Sequence, residues 1–258
     1  MSRIFITGSA DGLGRMAAQL LVGGGHEVVL HARNGERAKA ARTGVPGACD
    51  VLTGDLSSIE ETVALAAQAN RTGPFDAVIH NAGVGSSERR RLETKDGLSH
   101  VFAINSLAPY ILTCLIVRPK RLIYLSSGLQ QNGDPDMTDP GWKHKTWNGF
   151  QAYSDSKLQD VLLAFAVAHR WPAVYSNAVD PGWVATKMGG PGAPDSLEEG
   201  PKTQAWLAVS NDPAARATGK FFHHRKIRRP NPSAEDPLIQ EAYLKQCAGI
   251  SGIVFPDS

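Results

Sequence analysis

Tyr153 and Lys157 stand four residues apart in AYSDSKLQDVLLAF, a spacing that puts both on one face of a helix. A free phenol titrates at about 10, and a neighbouring ammonium favours the phenolate and lowers that value. A tyrosine placed this way can give a proton to a carbonyl oxygen or take one from an alcohol. The helix is supported by Leu158, Val161, Leu162 and Phe165, which recur at helical spacing. The same pair also arises by chance in many chains, so its meaning depends on what surrounds it.

A second chemical signal is Thr7-Gly8-Ser9-Ala10-Asp11-Gly12-Leu13-Gly14, between a short apolar run and an amphipathic segment. Glycines let a diphosphate approach the backbone, and the free N–H groups at the following helix end hold the anion. The spacing is T-G-x-x-x-G-x-G rather than G-x-G-x-x-G, and a plain strand-to-helix turn is the alternative in a chain of 26 glycines. At the end of the second apolar run, VVLHARNGER has no carboxylate at His31 or Ala32 and then Arg33. A carboxylate there binds a ribose 2′-hydroxyl, whereas an arginine accommodates a 2′-phosphate. The pattern favours NADP(H), with NAD(H) left open. Asp11 opposes it as a negative charge, and Arg33 can equally be a solvated residue at a helix start.

The elements that must position these groups alternate. Buried strands are expected at 3–7, 27–32, 75–81, 121–126 and 173–179, a weaker one at 47–54 and an edge strand at 219–224. Helices are expected at 14–22, 36–41, 57–70, 98–117, 153–170, 202–210 and 235–247. Alternation of this kind gives α/β architecture: one doubly wound, mostly parallel sheet of about seven strands with helices on both faces. No linker divides residues 1–258, so a single dinucleotide-binding domain is expected. Two long Gly/Pro-rich segments, a rim insert at about 128–149 and a lid at about 187–200, follow strand ends where such sheets bind ligands.

Composition narrows the classes. A net charge of +2 over 258 residues gives no reason to expect a nucleic-acid or membrane partner. The basic run from His223 to Arg229 has no aromatic stacking platform and reads as a solvated surface. Cys49, Cys114 and Cys247 are odd in number and form no CxxC, so neither a disulfide framework nor a metal site is indicated, and a cytoplasmic location is expected. No apolar run reaches membrane-spanning length, and MSRIFITGSA leaves no room for a signal peptide before the first strand.

Taken in order, TGSADGLG (7–14), Asp55-Leu56, Asn81-Ala82-Gly83, Asn105 in FAINSLAPYILT, Ser126-Ser127, Tyr153-x-x-x-Lys157 and Asp180-Pro181-Gly182-Trp183-Val184-x-Thr186 resemble the short-chain dehydrogenase/reductase family. The match runs to about Ser210. The resemblance implies Tyr153 as general acid/base, Lys157 lowering its pKa and bonding the nicotinamide ribose, and Ser127, or else Ser126, bonding the substrate oxygen. It implies Asn105 holding a water that links Lys157 to solvent. It further implies Asp55 on the adenine amine with Leu56 beside the ring, and Asn81-Ala82-Gly83 against the adenosine ribose. Thr186 would bond the carboxamide, in a turn shaped by Pro181 and Gly182 and continued by Val184. Twenty-six residues separate Ser127 from Tyr153, about twice the compact spacing, which looks like the retinol-dehydrogenase-like and protochlorophyllide-reductase-like branches. Pro119 shortens the helix after Asn105, so a monomer or homodimer is expected rather than a tetramer.

Trp142, Trp147, Trp183 and Met188 lie on the two rim segments and suit the wall of a site for a small hydrophobic ketone, aldehyde or alcohol. The alternative is that the tryptophans pin the loops to the body. The leading expectation is an NADP-dependent oxidoreductase. A sugar-nucleotide epimerase or dehydratase shares Tyr-x-x-x-Lys, and a non-catalytic NADP(H)-sensing regulator is the alternative from another class.

Overall fold

A computed structural model describes residues 1–257 of the chain. Eight strands form one sheet: β1 (Arg3–Ile6), β2 (Glu27–Ala32), β3 (Asp50–Thr53), β4 (Ala77–His80), β5 (Arg121–Leu125), β6 (Tyr175–Asp180), β7 (Lys220–His223) and β8 (Lys226–Arg228). Their order is β3-β2-β1-β4-β5-β6-β7-β8, parallel throughout except for the antiparallel β7–β8 pair. The chain direction across the sheet reverses between β1 and β4, where open α/β sheets place their ligands.

The runs form strands because both faces are covered. Phe5, Val78, Leu122 and Tyr124 enter one apolar cluster, while Ile4, Ile6, Ile79 and Ile123 enter the other. That period of two, with β-branched residues on both faces, is what a twice-covered parallel strand requires. The helices are α1 (Gly12–Gly23), α2 (Gly35–Gly44), α3 (Ile59–Thr72), α4 (His100–Phe102), α5 (Ala108–Leu115), α6 (Gly149–Arg170), α7 (Lys202–Val209) and α8 (Pro237–Ser251).

Beyond shifts of a few residues at element ends, three departures from the sequence expectation stand out. The helix expected at 98–117 is α4 and α5 joined by a wider π-helical turn at Ala103–Leu107, which contains Asn105. The basic run is not wholly loop: His224 and Arg225, both at positive φ, turn β7 into the additional strand β8. Positive φ at both central residues suits a tight hairpin. Finally, α6 begins at Gly149, where the Asn148 side chain accepts the Gln151 N–H.

Candidate active site

At the carboxyl end of β1, the Thr7 hydroxyl oxygen accepts the N–H groups of Asn81 and Ala82, each at 3.0 Å. The Asn81 side-chain amide donates back to the carbonyls of Thr7 and Gly8, at 3.0 and 3.1 Å. These bonds draw the glycine loop against the end of β4. A Cβ on Gly14 would stand 2.4 Å from Asn81 Nδ2, and one on Gly8 2.7 Å from Ala82 Cα. Gly12, at φ +54°, faces open space instead.

His31, buried beneath this loop, was absent from the sequence expectation as a site residue. The Gly8 N–H donates to its Nδ1 at 2.9 Å, which leaves the proton on Nε2 for the Gly54 carbonyl, also at 2.9 Å. Burial pulls its pKa down to about 4, so the ring is neutral at pH 7. Asp11 precedes α1, yet its carboxylate caps none of the helix N–H groups. It accepts from Arg37 at 2.6 Å and from Lys187 at 3.2 Å. Burial pushes the carboxyl up, but those two cations outweigh it and hold it below the usual range. The charge that opposed a phosphate in the sequence is therefore matched. Arg33 is exposed at the end of β2 and makes no ion pair among the described residues. Asp55 accepts the Ser57 N–H at 2.9 Å, and Leu56 is buried beside it.

The second cluster centres on α6. Its stripe of Leu158, Val161, Leu162 and Phe165 is buried, and so are its polar residues from Ser154 to Asp160. Buried polar groups need partners, and Lys157 has two. Its ammonium donates to the Leu125 carbonyl and to Asp160 Oδ2, each at 2.8 Å. The two side chains are only 5 % and 2 % exposed. Lys157 Nζ lies 5.8 Å from the centre of the half-buried Tyr153 ring. Gly83 leaves room beside it, since a Cβ there would stand 3.6 Å from the ammonium and 3.4 Å from Asn105 Oδ1. Burial disfavours the ammonium, but Asp160 and Tyr153 more than offset this and hold Lys157 above the ordinary lysine value. Burial pushes Asp160 up to about 7 against the pull of Lys157.

Asn105 commits its side chain to the Val84 backbone and the Ser156 hydroxyl. Its Oδ1 accepts the Val84 N–H at 2.8 Å, and its Nδ2 donates to the Val84 carbonyl and to Ser156 Oγ, each at 3.0 Å. It ties the π-helical turn to the loop after β4 and to α6. The two serines part company here. The Ser126 hydroxyl is buried and donates to the Lys157 carbonyl at 2.7 Å, whereas Ser127 is half-buried and accepts the Leu129 N–H at 3.2 Å.

The rim tryptophans divide in the same way. Trp142 is 6 % exposed, and its indole N–H donates to Asp155 at 3.0 Å, two residues beyond Tyr153 and on the far side of α6. Trp147 donates to the Glu88 carbonyl at 2.9 Å and meets Trp142 edge to face. These bonds fit the alternative reading of the two indoles, in which they pin the insert to the body. Trp183 and Met188 are 60 % and 54 % exposed on the loop after β6. That loop folds back through Asp195, which accepts the Trp183 N–H at 2.6 Å, and Met188 packs against Gly85 of the loop after β4. Asp180 accepts the Gly182 N–H at 3.0 Å, shaping the turn that carries Pro181, buried Val184 and Thr186, whose hydroxyl accepts the Gly189 N–H at 3.2 Å.

Residues 2–196 match the family model described as short chain dehydrogenase. This chain belongs to the short-chain dehydrogenase family. An uncharacterized oxidoreductase of Emericella nidulans is 46 % identical over 99 % of both chains. Human retinol dehydrogenase 13 is 28 % identical over 98 % of this chain and 85 % of its own. A solved structure of an uncharacterized protein from Mycobacterium paratuberculosis superposes with a TM-score of 0.86 at 22 % identity, covering 99 % of this chain and 95 % of that one. The family consists of oxidoreductases that bind nicotinamide cofactors, and retinol-dehydrogenase-like proteins are among this chain's relatives. The residues present fit such a cofactor: open space at Gly12, an uncapped helix end at α1, and Asn81 Oδ1 buried without a hydrogen-bond partner. No helix among the described residues is long and apolar enough to cross a membrane.

Proposed function

We propose that the protein is an NADP(H)-dependent oxidoreductase that interconverts a hydrophobic ketone or aldehyde with its alcohol. The observation that carries this is the buried Lys157 ammonium fixed beside Tyr153 on one face of α6. When bound, the nicotinamide supplies or accepts hydride. In reduction Tyr153 gives its proton to the substrate oxygen, and in oxidation it takes that proton back. Lys157, with two of its three N–H donors committed to Leu125 and Asp160, keeps one for the ribose and for the field on the phenol. Ser127 donates to the same substrate oxygen and steadies the developing charge. Its half-buried place favours it over Ser126, whose hydroxyl is committed to Lys157.

The cofactor residues divide the work. The N–H groups at Gly12, Leu13 and Gly14 take the diphosphate, Asp55 and Leu56 the adenine, Asn81, Ala82 and Gly83 the adenosine ribose, and Thr186 the carboxamide. Arg33 is unpaired and free to hold a 2′-phosphate, while the Asp11 charge is already matched by Arg37 and Lys187. Trp183 and Met188 offer exposed apolar surface for the substrate. The test is a panel of aromatic and alicyclic ketones and aldehydes, followed by NADPH and NADH absorbance. Turnover with higher kcat/KM for NADPH is expected. Higher efficiency with NADH would defeat the cofactor assignment, and turnover of a nucleotide sugar alone would defeat the substrate class.

A further inference from the structure

Tyr153, Lys157 and Asp160 follow one another at i, i+4 and i+7, so phenol, ammonium and carboxylate form one line along α6. The Lys157–Asp160 contact of 2.8 Å is closed to solvent on both sides. A lone ammonium would act on the phenol with its full charge, whereas a carboxylate in contact with it offsets much of that field. The other titratable groups around Asp160 are neutral at working pH. Tyr124 on β5 is bonded to Thr113 of α5, Tyr243 on α8 donates to the Ser106 carbonyl, and burial drives both phenols well above their ordinary values. His80 on β4, stacked on Tyr124, is held neutral by burial, and Cys114 of α5 and Cys247 of α8 are held as thiols. Among these groups Lys157 carries the positive charge, and above pH 7 Asp160 carries the negative one that faces it.

We propose that Asp160 is the counter-ion of Lys157 and a positioning residue for the reaction: it raises the pH at which the Tyr153–Lys157 couple loses its first proton, keeping Tyr153 in the form that donates to a carbonyl. This rests on the function proposed above. Asp160 also fixes the direction of the ammonium, since with Leu125 it commits two of three N–H bonds.

The test is the pH profile of kcat/KM for alcohol oxidation, with thermal unfolding and NADPH fluorescence confirming fold and cofactor binding. Asp160→Asn, which keeps shape and acceptor but removes the charge, is expected to move the midpoint down by about one unit. Asp160→Glu, which restores the charge, is expected to return it toward the original value. An unmoved midpoint in a folded, cofactor-binding Asn variant overturns the proposal. A second measurement needs no turnover. Lys157→Met/Asp160→Asn, which removes both charges together, is expected to melt at a higher temperature than Lys157→Met alone. A double variant as unstable as the sum of the single losses shows no pairing and also overturns it. Tyr153→Phe keeps the two ideas apart: activity that survives it defeats the proposed function, whereas Tyr153-dependent activity with a profile indifferent to Asp160 defeats only this proposal.

Discussion

Two ionic clusters lie at the carboxyl end of the same sheet, and they are built in opposite ways. Lys157 and Asp160 meet within the interior, among groups that are neutral. Asp11, Arg37 and Lys187 meet at the surface, with the Lys187 side chain 85 % exposed. An exposed pair is screened and contributes little, whereas breaking a buried pair strands a charge. The buried cluster can therefore set protonation and geometry, and the exposed one can only adjust how a charged ligand is received.

Breaking the buried pair tests this contrast most severely. Lys157→Met is expected to cost about 3 kcal/mol of stability in chemical denaturation above pH 7, because Asp160 loses its partner. A loss no larger than that of a surface lysine would erase the distinction between the clusters.

Acid offers a nearly equal effect beneath the glycine loop. His31 is held neutral down to about pH 4, while an unfolded chain protonates it near 6.5. The unfolded state therefore binds more protons between those values, and stability falls as pH drops from about 6.5 to 4, by about 3 kcal/mol in all. His80, lowered to about 3, adds in the same direction, whereas Asp160, raised to about 7, opposes it. Comparing the wild type with His31→Gln isolates the term: their stability difference is expected to narrow steadily over that interval. A constant difference would mean that the ring is not neutral beneath the glycine loop.

Effects on the exposed side are smaller. Arg33→Ala is expected to raise KM for NADPH about tenfold, the scale of one lost charge-assisted hydrogen bond, and to leave KM for NADH nearly unchanged. Equal changes for both cofactors would remove Arg33 from 2′-phosphate recognition. Lys187→Ala is expected to shift the melting temperature by no more than about one degree, with added salt shrinking even that difference. A large, salt-insensitive shift would place this cluster in the same class as the buried one.

Much of this was legible in the chain. The strand runs, the glycine loop and Tyr153 with Lys157 are local patterns of period, spacing and side-chain type, and the structure carries them on the expected elements. The π-helical turn at Asn105 was not legible, because its periodicity resembles that of an ordinary helix. Asp160 carries only a weak local signal: it is three residues beyond Lys157, on the face shared with Tyr153. Its burial depends on β5 and α8 closing over α6, which no local pattern reports. His31 was noticed only as a missing carboxylate, since its bonds to Gly8 and Gly54 join segments 23 residues away on either side. The tryptophans were ambiguous for a plain reason: composition places an indole on a rim but does not say where its N–H goes.

The central claim is that Tyr153 exchanges a proton with the substrate oxygen under the influence of Lys157. Turnover of the best carbonyl substrate by Tyr153→Phe, measured beside NADPH binding by fluorescence, tests it most directly. Cofactor binding within about twofold of wild type, with turnover reduced by about a thousandfold or more, is the predicted result. Turnover near the wild-type rate would contradict the account.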